Sequence, residues 1–187
     1  FNHANLISDA DKEKRKLKVS VEPLDSKGVT EVSIYTQDHL GLFARTCAGL
    51  ALAGTSVQDA RIVTTKDGMT VNTFLVRSAD ASSIIDKNNR LNIIVETIRK
   101  TISEERDPKQ LIKEFKNIQL PSRRDSLEIE PRVLIDNLSS KSHTVIEINS
   151  TDTIGLLHTL ASEFFLMGLH ISTARISTYG IRAVDVF

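Results

Sequence analysis

Two stretches near the start of the chain alternate apolar and polar residues with a period of two: Lys18-Val19-Ser20-Val21-Glu22 and Val29-Thr30-Glu31-Val32-Ser33-Ile34-Tyr35. Such alternation puts every second side chain on one face of a half-buried strand. The turn-forming Pro23-Leu24-Asp25-Ser26-Lys27-Gly28 lies between them, so the pair predicts a β-hairpin. The period then changes. Phe43, Cys47 and Leu50 mark one face of a helix, with Ala44, Ala48 and Ala51 beside it, small enough to let the helix lie close on a sheet. Gly54 supplies a left-handed stop. Alternation returns over 57–65 and 70–76, two strands joined through Asp67-Gly68. Leu91, Ile94, Val95, Ile98 and Ile102 carry the apolar stripe of a longer helix over about 88–105. Asp107-Pro108 opens a short helix through Leu111, Ile112 and Phe115, with Pro at the tolerated first position. Residues 117–131, with Pro121 and Pro131, read as a polar linker.

After the linker the same succession begins again. Residues 18–65 superpose on 132–179 at a shift of 114, with identities that include Val19, Leu24, Ser26, Lys27, Thr30, Asp38, Gly41, Leu42, Gly54, Ala60, Arg61, Ile62 and Thr64. Beyond Thr65 the shift falls to 113, aligning Val71 with Val184 and Phe74 with Phe187. The lost residue falls in a turn, Lys66-Asp67-Gly68 in the first copy and Tyr179-Gly180 in the second. The second hairpin is predicted from Arg132 to Asp136 and Thr144 to Asn149, followed by a helix that Gly168 ends.

Each copy thus runs strand, strand, helix, strand, strand, helix. A leading strand hairpinned onto the first core strand occupies the place of the last strand in a ferredoxin-like sheet. The expectation is an α+β protein of two ferredoxin-like units, each a circularly permuted ββαββα with its helices on one face. The boundaries are 1–16 for the end of a preceding domain or a linker, 17–107 for the first domain, 108–130 for a linker with a short helix, and 131–187 for the second domain. The chain opens on Phe1 rather than Met and stops at Phe187 inside a strand pattern, which reads as a piece of a longer protein. The second domain is then incomplete, without its second helix, and its uncovered sheet face or edge is expected to pack on the first domain or another chain.

Composition narrows the classes. Lys plus Arg equals Asp plus Glu at 24 each, so no long-range field favours nucleic acid or an anionic membrane. The seven Phe and two Tyr fall mostly at apolar-periodic positions, which also argues against an RNA-reading sheet. The apolar runs are far short of a membrane span. A single cysteine, Cys47, excludes an internal disulfide and gives no metal-ligand spacing, so a cytoplasmic setting is expected and no metal site. No nucleophile–base pair stands out, so no catalytic residue is assigned.

The chemistry concentrates at two related junctions of strand and helix: Asp38-His39-Leu40-Gly41-Leu42-Phe43 and Asp152-Thr153-Ile154-Gly155-Leu156-Leu157. Asp38 and Asp152 suit the N-cap of the helix that follows. A Gly beside a helix N-terminus leaves backbone amides open to a ligand, and those amides with the helix dipole suit a carboxylate. An α-amino acid also carries an ammonium group, which Asp38 or Asp152 can meet. On the residues alone the plain alternative stands: each Asp a cap, each Gly a turn residue.

A strand ending in Asp-x-Pro-Gly-Leu and opening a helix is the mark of ACT domains, small-molecule sensing modules of amino-acid metabolism, and the two junctions resemble degenerate copies. The resemblance is closer to the carboxy-terminal tandem ACT region of the bifunctional PII uridylyltransferase/uridylyl-removing enzymes. Four stretches carry it: Val32 to His39, Asp59-Ala60-Arg61-Ile62, Glu130 to Asn137, and Arg182-Ala183-Val184-Asp185-Val186-Phe187. It covers roughly residues 15–187. The family Pro is replaced by Leu40 and Ile154, which loosens the loop by freeing φ. The resemblance implies glutamine sensing at Asp38, His39, Gly41, Leu42, Phe43, Asp152, Thr153, Gly155, Leu156 and Leu157. It also implies ACT–ACT pairing within or between chains, and the PII signal protein as partner through the parent enzyme. No cofactor is implied for this stretch, and magnesium only for the parent's catalytic domains, whose motifs are absent here. The competing expectation is an interaction module with vestigial ligand sites.

The remaining polar residues have plainer expectations. Cys47 reads as a small core residue. His39 and His158 flank the two junctions and read as exposed loop histidines, with sensing of a ligand carboxylate as the functional alternative. Arg61 and Arg175 recur in equivalent strands and read as an ion pair or an interface contact. Arg123-Arg124 reads as a solvated linker pair.

Overall fold

The computed structural model describes residues 17–78, 87–103, 129–153 and 155–187. The expected leading segment, the short helix after Pro108, most of the linker and Ile154 lie outside the described residues.

The first hairpin is β1 (Leu17–Leu24) and β2 (Val29–Gln37), antiparallel with Val19 opposite Ile34. A single 3₁₀ turn joins them and ends on Gly28 at φ 62°. Next come α1 (Leu42–Leu52), β3 (Thr55–Thr64), β4 (Met69–Ser78) and α2 (Lys87–Ile102). After the linker the order recurs as β5 (Arg132–Asp136), β6 (Val145–Thr151), α3 (Leu156–Leu166), β7 (Thr173–Tyr179) and β8 (Arg182–Val186). Both expected hairpins are present: β5 pairs antiparallel with β6, as β1 does with β2. Gly54 and Gly168 end α1 and α3 at φ 68° and 73°, where a Cβ would be strained.

All eight strands form one antiparallel sheet in the order β1-β2-β4-β3-β7-β8-β6-β5. The fold is α+β, with three α-helices among the described residues, and is compatible with two ferredoxin-like ACT repeats. Outward from the centre, β3-β4-β2-β1 on one side matches β7-β8-β6-β5 on the other. The seam is the β3–β7 pair, in which Ala60 lies opposite Ile176, Arg61 opposite Arg175 and Ile62 opposite Ala174. Arg61 and Arg175 are counterparts in the repeat, so a local twofold axis passes between them. The second half therefore packs edge to edge on the first. The two arginines meet at that interface, and both are exposed. Like charges directly opposite weaken a strand pair, so the seam is held by other contacts.

Those contacts are the β3–β7 backbone ladder and apolar packing. One continuous cluster joins both halves on the helical face, including Val32, Ile34, Leu50 and Phe74 from the first and Leu157, Ala161 and Ile176 from the second. Phe187 stands edge-on to Phe43 and to Phe164, with ring centroids 6.1 and 4.9 Å apart, and Phe43 stacks on Phe74 at 6.4 Å. Each fully buried aliphatic or aromatic side chain contributes about 1.5–3 kcal/mol, so this cluster outweighs the arginine pair. The small residues of α1 let it sit close between α2 and α3. A Cβ on Gly49 would come within 3.0 Å of the Ile98 Cα.

The halves differ in cover. α2 lays Ile94, Ile98 and Ile102 over the first half, and Val19 on β1 is 7% exposed. Val133, its counterpart on β5, is 61% exposed, and among the described residues no helix lies over it.

Candidate functional site

The two junction loops sit at opposite ends of the seam, each facing the other half's helix and strand. In each, the helix opens on a glycine in the left-handed region, Gly41 at φ 85° and Gly155 at φ 84°. This corrects the expectation for Asp38 and Asp152. The cap position belongs to the glycines, and no side chain caps either helix. A turn bond closes each loop instead, from the Leu42 amide to the His39 carbonyl at 3.1 Å and from the Leu156 amide to the Thr153 carbonyl at 3.0 Å. Three residues separate each Asp from the first helical turn, too far back in the chain to cap it, and the glycine's freedom at positive φ lets the loop close without a cap.

Two clefts lie at the seam, related by the local axis. One lies beside Gly155, opens to solvent and has a cavity volume of about 30 Å³. The other lies beside Gly41, also opens to solvent and has a cavity volume of about 20 Å³. Corresponding positions line both. Asp152, Thr153, Gly155, Leu157 and His158 in the first answer to Asp38, His39, Gly41, Phe43 and Ala44 in the second. Across the seam, Cys47, Ala51, Thr55, Ser56 and Val57 answer to Ala161, Phe165, Leu169, His170 and Ile171.

These exchanges make the clefts unequal. Phe165 takes the place of Ala51, and its ring lies against Gly41: a Cβ built there would be 2.7 Å from a ring carbon. His170 takes the place of Ser56, and its Nε2 lies 3.3 Å from Asp38 Oδ2. The same Asp38 oxygen accepts a hydrogen bond from the Thr64 hydroxyl at 2.9 Å. Asp38 is therefore engaged across the seam, and the Phe165 ring fills the side of Gly41 where a side chain would project. On the Gly155 side small Ala51 and Ser56 leave room, and the cleft reaches the sheet floor at Ile176, Thr178, Ala183 and Asp185.

Of the expected site residues, Asp152, Thr153, Gly155, Leu156 and Leu157 line the larger cleft, and Asp38, His39, Gly41 and Phe43 the smaller. Leu42 is 2% exposed and packs in the core. His158 corrects its expectation: it is a helix residue, 3% exposed, not a loop histidine. Burial pushes its pKa down to about 4, against a partial opposing effect of a hydrogen bond with the Ala44 backbone, so it is neutral near physiological pH. Cys47 is buried as expected, and burial, helped by nearby Asp185, holds its thiol pKa well above the usual range.

Asp185 was not among the expected site residues. It is 1% exposed and lies on the floor of the larger cleft. Burial raises its carboxyl pKa to about 7, with Asp152 adding to the rise and a hydrogen bond from the Ser177 backbone opposing it. Its Oδ1 has no hydrogen-bond partner. A signal was present in the strand pattern: Ala183, Asp185 and Phe187 alternate inward, and an acid on that face has to be explained. Its counterpart Asn72 accepts a hydrogen bond from the Thr70 hydroxyl at 2.7 Å. No group of three or more potential metal ligands occurs among the described residues.

The fold and the clefts define a class: paired α+β units compatible with ACT repeats, joined edge to edge with a cleft at each end of the joint. Comparison with known proteins gives the family. The chain is homologous, along its whole length, to one region of the bifunctional uridylyltransferase/uridylyl-removing enzymes. It is 39% identical over 189 residues to that of Gluconobacter oxydans, covering 100% of this chain and 20% of the relative. It is 38% identical over 184 residues to that of Azospirillum brasilense, covering 98% of this chain and 20% of the relative. It is 35% identical over 187 residues to that of Rhodospirillum rubrum, covering 100% and 20%. The chain thus spans about a fifth of the length of the curated relatives it matches. No protein-family model matches the chain, and no solved structure does.

Proposed function

We propose that this chain is an amino-acid-sensing regulatory region of a bifunctional uridylyltransferase/uridylyl-removing enzyme, built from two ACT domains, residues 17–107 and 131–187. One observation carries the reading: the cleft beside Gly155 is walled by both halves at once, so a ligand in it contacts both sides of the seam. The ligand's carboxylate lies on the amides around Gly155, where the first turn of a helix offers donors without intrahelical partners and the positive end of its dipole. Asp152, Thr153, Leu156 and Leu157 complete that rim. Glutamine is the ligand the family likeness favours, and the whole enzyme acts on the PII signal protein in the cytoplasm, choosing between adding UMP and removing it. This stretch regulates and does not catalyse. It carries no cofactor of its own, and magnesium belongs to the parent's catalytic domains.

Regulation follows from differential affinity. A ligand bridging the halves shifts the enzyme only by as much as it prefers one arrangement over the other, typically about 1–3 kcal/mol. Millimolar affinity, about −4 kcal/mol, suits a sensor of an abundant metabolite.

A second reading has support at the other cleft. Phe165 over Gly41 and His170 against Asp38 make that copy a joint rather than a receptor. The interaction-module reading therefore applies to the Gly41 copy and the sensing reading to the Gly155 copy. Titration calorimetry of the chain against the common amino acids tests the proposal. A saturable heat with glutamine supports it. No heat with any amino acid removes the sensing reading and extends the interaction reading to both copies.

A further inference from the structure

The cleft beside Gly155 contains a group that neither the helix N-terminus nor the motif accounts for. Asp185 is 1% exposed, lies on the cleft floor and has a carboxyl oxygen, Oδ1, with no hydrogen-bond partner. Leaving a buried acceptor unmatched is costly, and native structures avoid it unless the position has a use. The local axis supplies a control within the same molecule. At the matching position of the repeat stands Asn72, which accepts a hydrogen bond from Thr70 and is not among the residues lining the Gly41 cleft, where Phe165 and Phe43 stand in the places of Ala51 and Leu157. The acid therefore occurs in the copy whose cleft is lined by Ala51 and Leu157, and the neutral amide in the copy where Phe165 and Phe43 take their places.

We propose that Asp185 receives the cationic α-ammonium group of an amino acid bound in the Gly155 cleft, its Oδ1 accepting the ammonium hydrogen bond while the ligand's carboxylate lies toward the Gly155 amides. This rests on the sensing reading and assigns to Asp185 the role that the motif pattern had offered to Asp152. Asp152 lies at the rim, half-buried, while Asp185 forms the floor. The two carboxyls act in one direction: Asp152 adds negative charge near Asp185, which makes a bound cation more favourable and an ionised, unliganded Asp185 less so.

Binding is then linked to protons. The groups facing Asp185 are Asp152 from the loop after β6, Cys47 from α1, His158 from α3 and the Ser177 amide from β7. Among them no lysine or arginine lines the cleft. Cys47 stays a thiol and His158 stays neutral near physiological pH, so neither supplies a countercharge. The carboxyl titrates near pH 7 in the free protein, and the ammonium requires it ionised. Ligand uptake below that pH therefore releases a proton, and affinity falls up to about tenfold per pH unit on the acid side. Above it the affinity levels off.

The test is calorimetry of the whole chain with two probes, L-glutamine and glutaramate, which is glutamine without its α-ammonium. Asp185→Asn keeps the shape of the side chain, and thermal melting checks that the variant is folded. The expected result is a loss of about ten- to a hundredfold in glutamine affinity for Asp185→Asn. The acid-side pH slope and the proton release, read from the dependence of the heat on buffer ionisation, disappear with it. Glutaramate binds both proteins weakly and alike. Wild-type binding of glutaramate as tight as that of glutamine overturns the proposal without reference to any variant. An Asp185→Asn chain that binds glutamine as the wild type does, with the same pH slope, also overturns it and leaves the sensing reading standing. A wild type that gives no heat with glutamine removes the sensing reading, and this inference falls with it.

Discussion

Gly41→Ala is the sharpest probe of how the Gly41 cleft is built. Two costs arise at once. Gly41 sits at φ 85°, so any Cβ is strained, by about 1–2 kcal/mol for a residue held in the left-handed region. The new methyl also meets the Phe165 ring, whose nearest carbons are 2.7 and 2.8 Å away. Overpacking of that kind costs about 1–3 kcal/mol. The substitution should therefore destabilise the chain by about 2–5 kcal/mol in urea unfolding, or about 2–4 °C of Tm per kcal/mol for a chain of this size. The two costs separate in a double-mutant cycle with Phe165→Ala, which removes the ring and leaves the backbone strain. A coupling of about 1–3 kcal/mol is expected, so that Gly41→Ala costs less in the Phe165→Ala background than in the wild type. If the cost is the same in both backgrounds within about 0.5 kcal/mol, the ring does not rest on Gly41 and the account of the Gly41 cleft is wrong.

Three further outcomes follow from burial. Asp185 titrates near 7 when folded and near 3.8 when unfolded, so the folded state holds an extra proton between those values and stability falls as pH rises through the window. Asp185→Asn should remove that slope and be more stabilising at about pH 8 than at about pH 4, by up to about 4 kcal/mol in urea titrations at the two values. An equal effect at both would contradict the buried carboxyl. Val19→Ala should cost about 2 kcal/mol and its counterpart Val133→Ala less than about 0.5, since the first is 7% and the second 61% exposed. Equal costs would mean that something covers β5. The Cys47 thiol should resist a disulfide-exchange reagent at about pH 8 and react once urea unfolds the chain, because burial keeps it protonated. Rapid reaction in the native state would contradict its placement.

Much of the fold is legible in the chain because its signals are local. Period-two alternation marks β1, β2, β5 and β6, and the stripe from Leu91 to Ile102 marks α2. Glycines announce the turns at 68, 168 and 180, all at positive φ. The seam is less legible, since strand propensity does not say which edge meets which. The recurrence of Arg61 and Arg175 flagged an interface, but only the pairing shows them on the axis. Asp38 and Asp152 misled because an acid before a helix resembles a cap, and the glycine three residues on had already taken that position. The inequality of the clefts lies in pairs that the repeat aligns, Ala51 with Phe165 and Ser56 with His170. It becomes visible only once the axis shows that each residue faces the other copy's glycine. Asp185 and His158 are polar residues on otherwise apolar faces, which marks them for attention without saying what they face.

Counting glutamine molecules bound per chain, by calorimetry on the wild type and on Ala51→Phe, tests the central claim most directly. Ala51→Phe places on the Gly155 side the ring that Phe165 already places against Gly41, at a position where the fold accommodates one in its other copy. One glutamine per chain is expected for the wild type and none for Ala51→Phe, with the variant melting as a folded protein. Undiminished binding by the folded Ala51→Phe chain would contradict the account, because it would put the ligand somewhere other than the cleft beside Gly155.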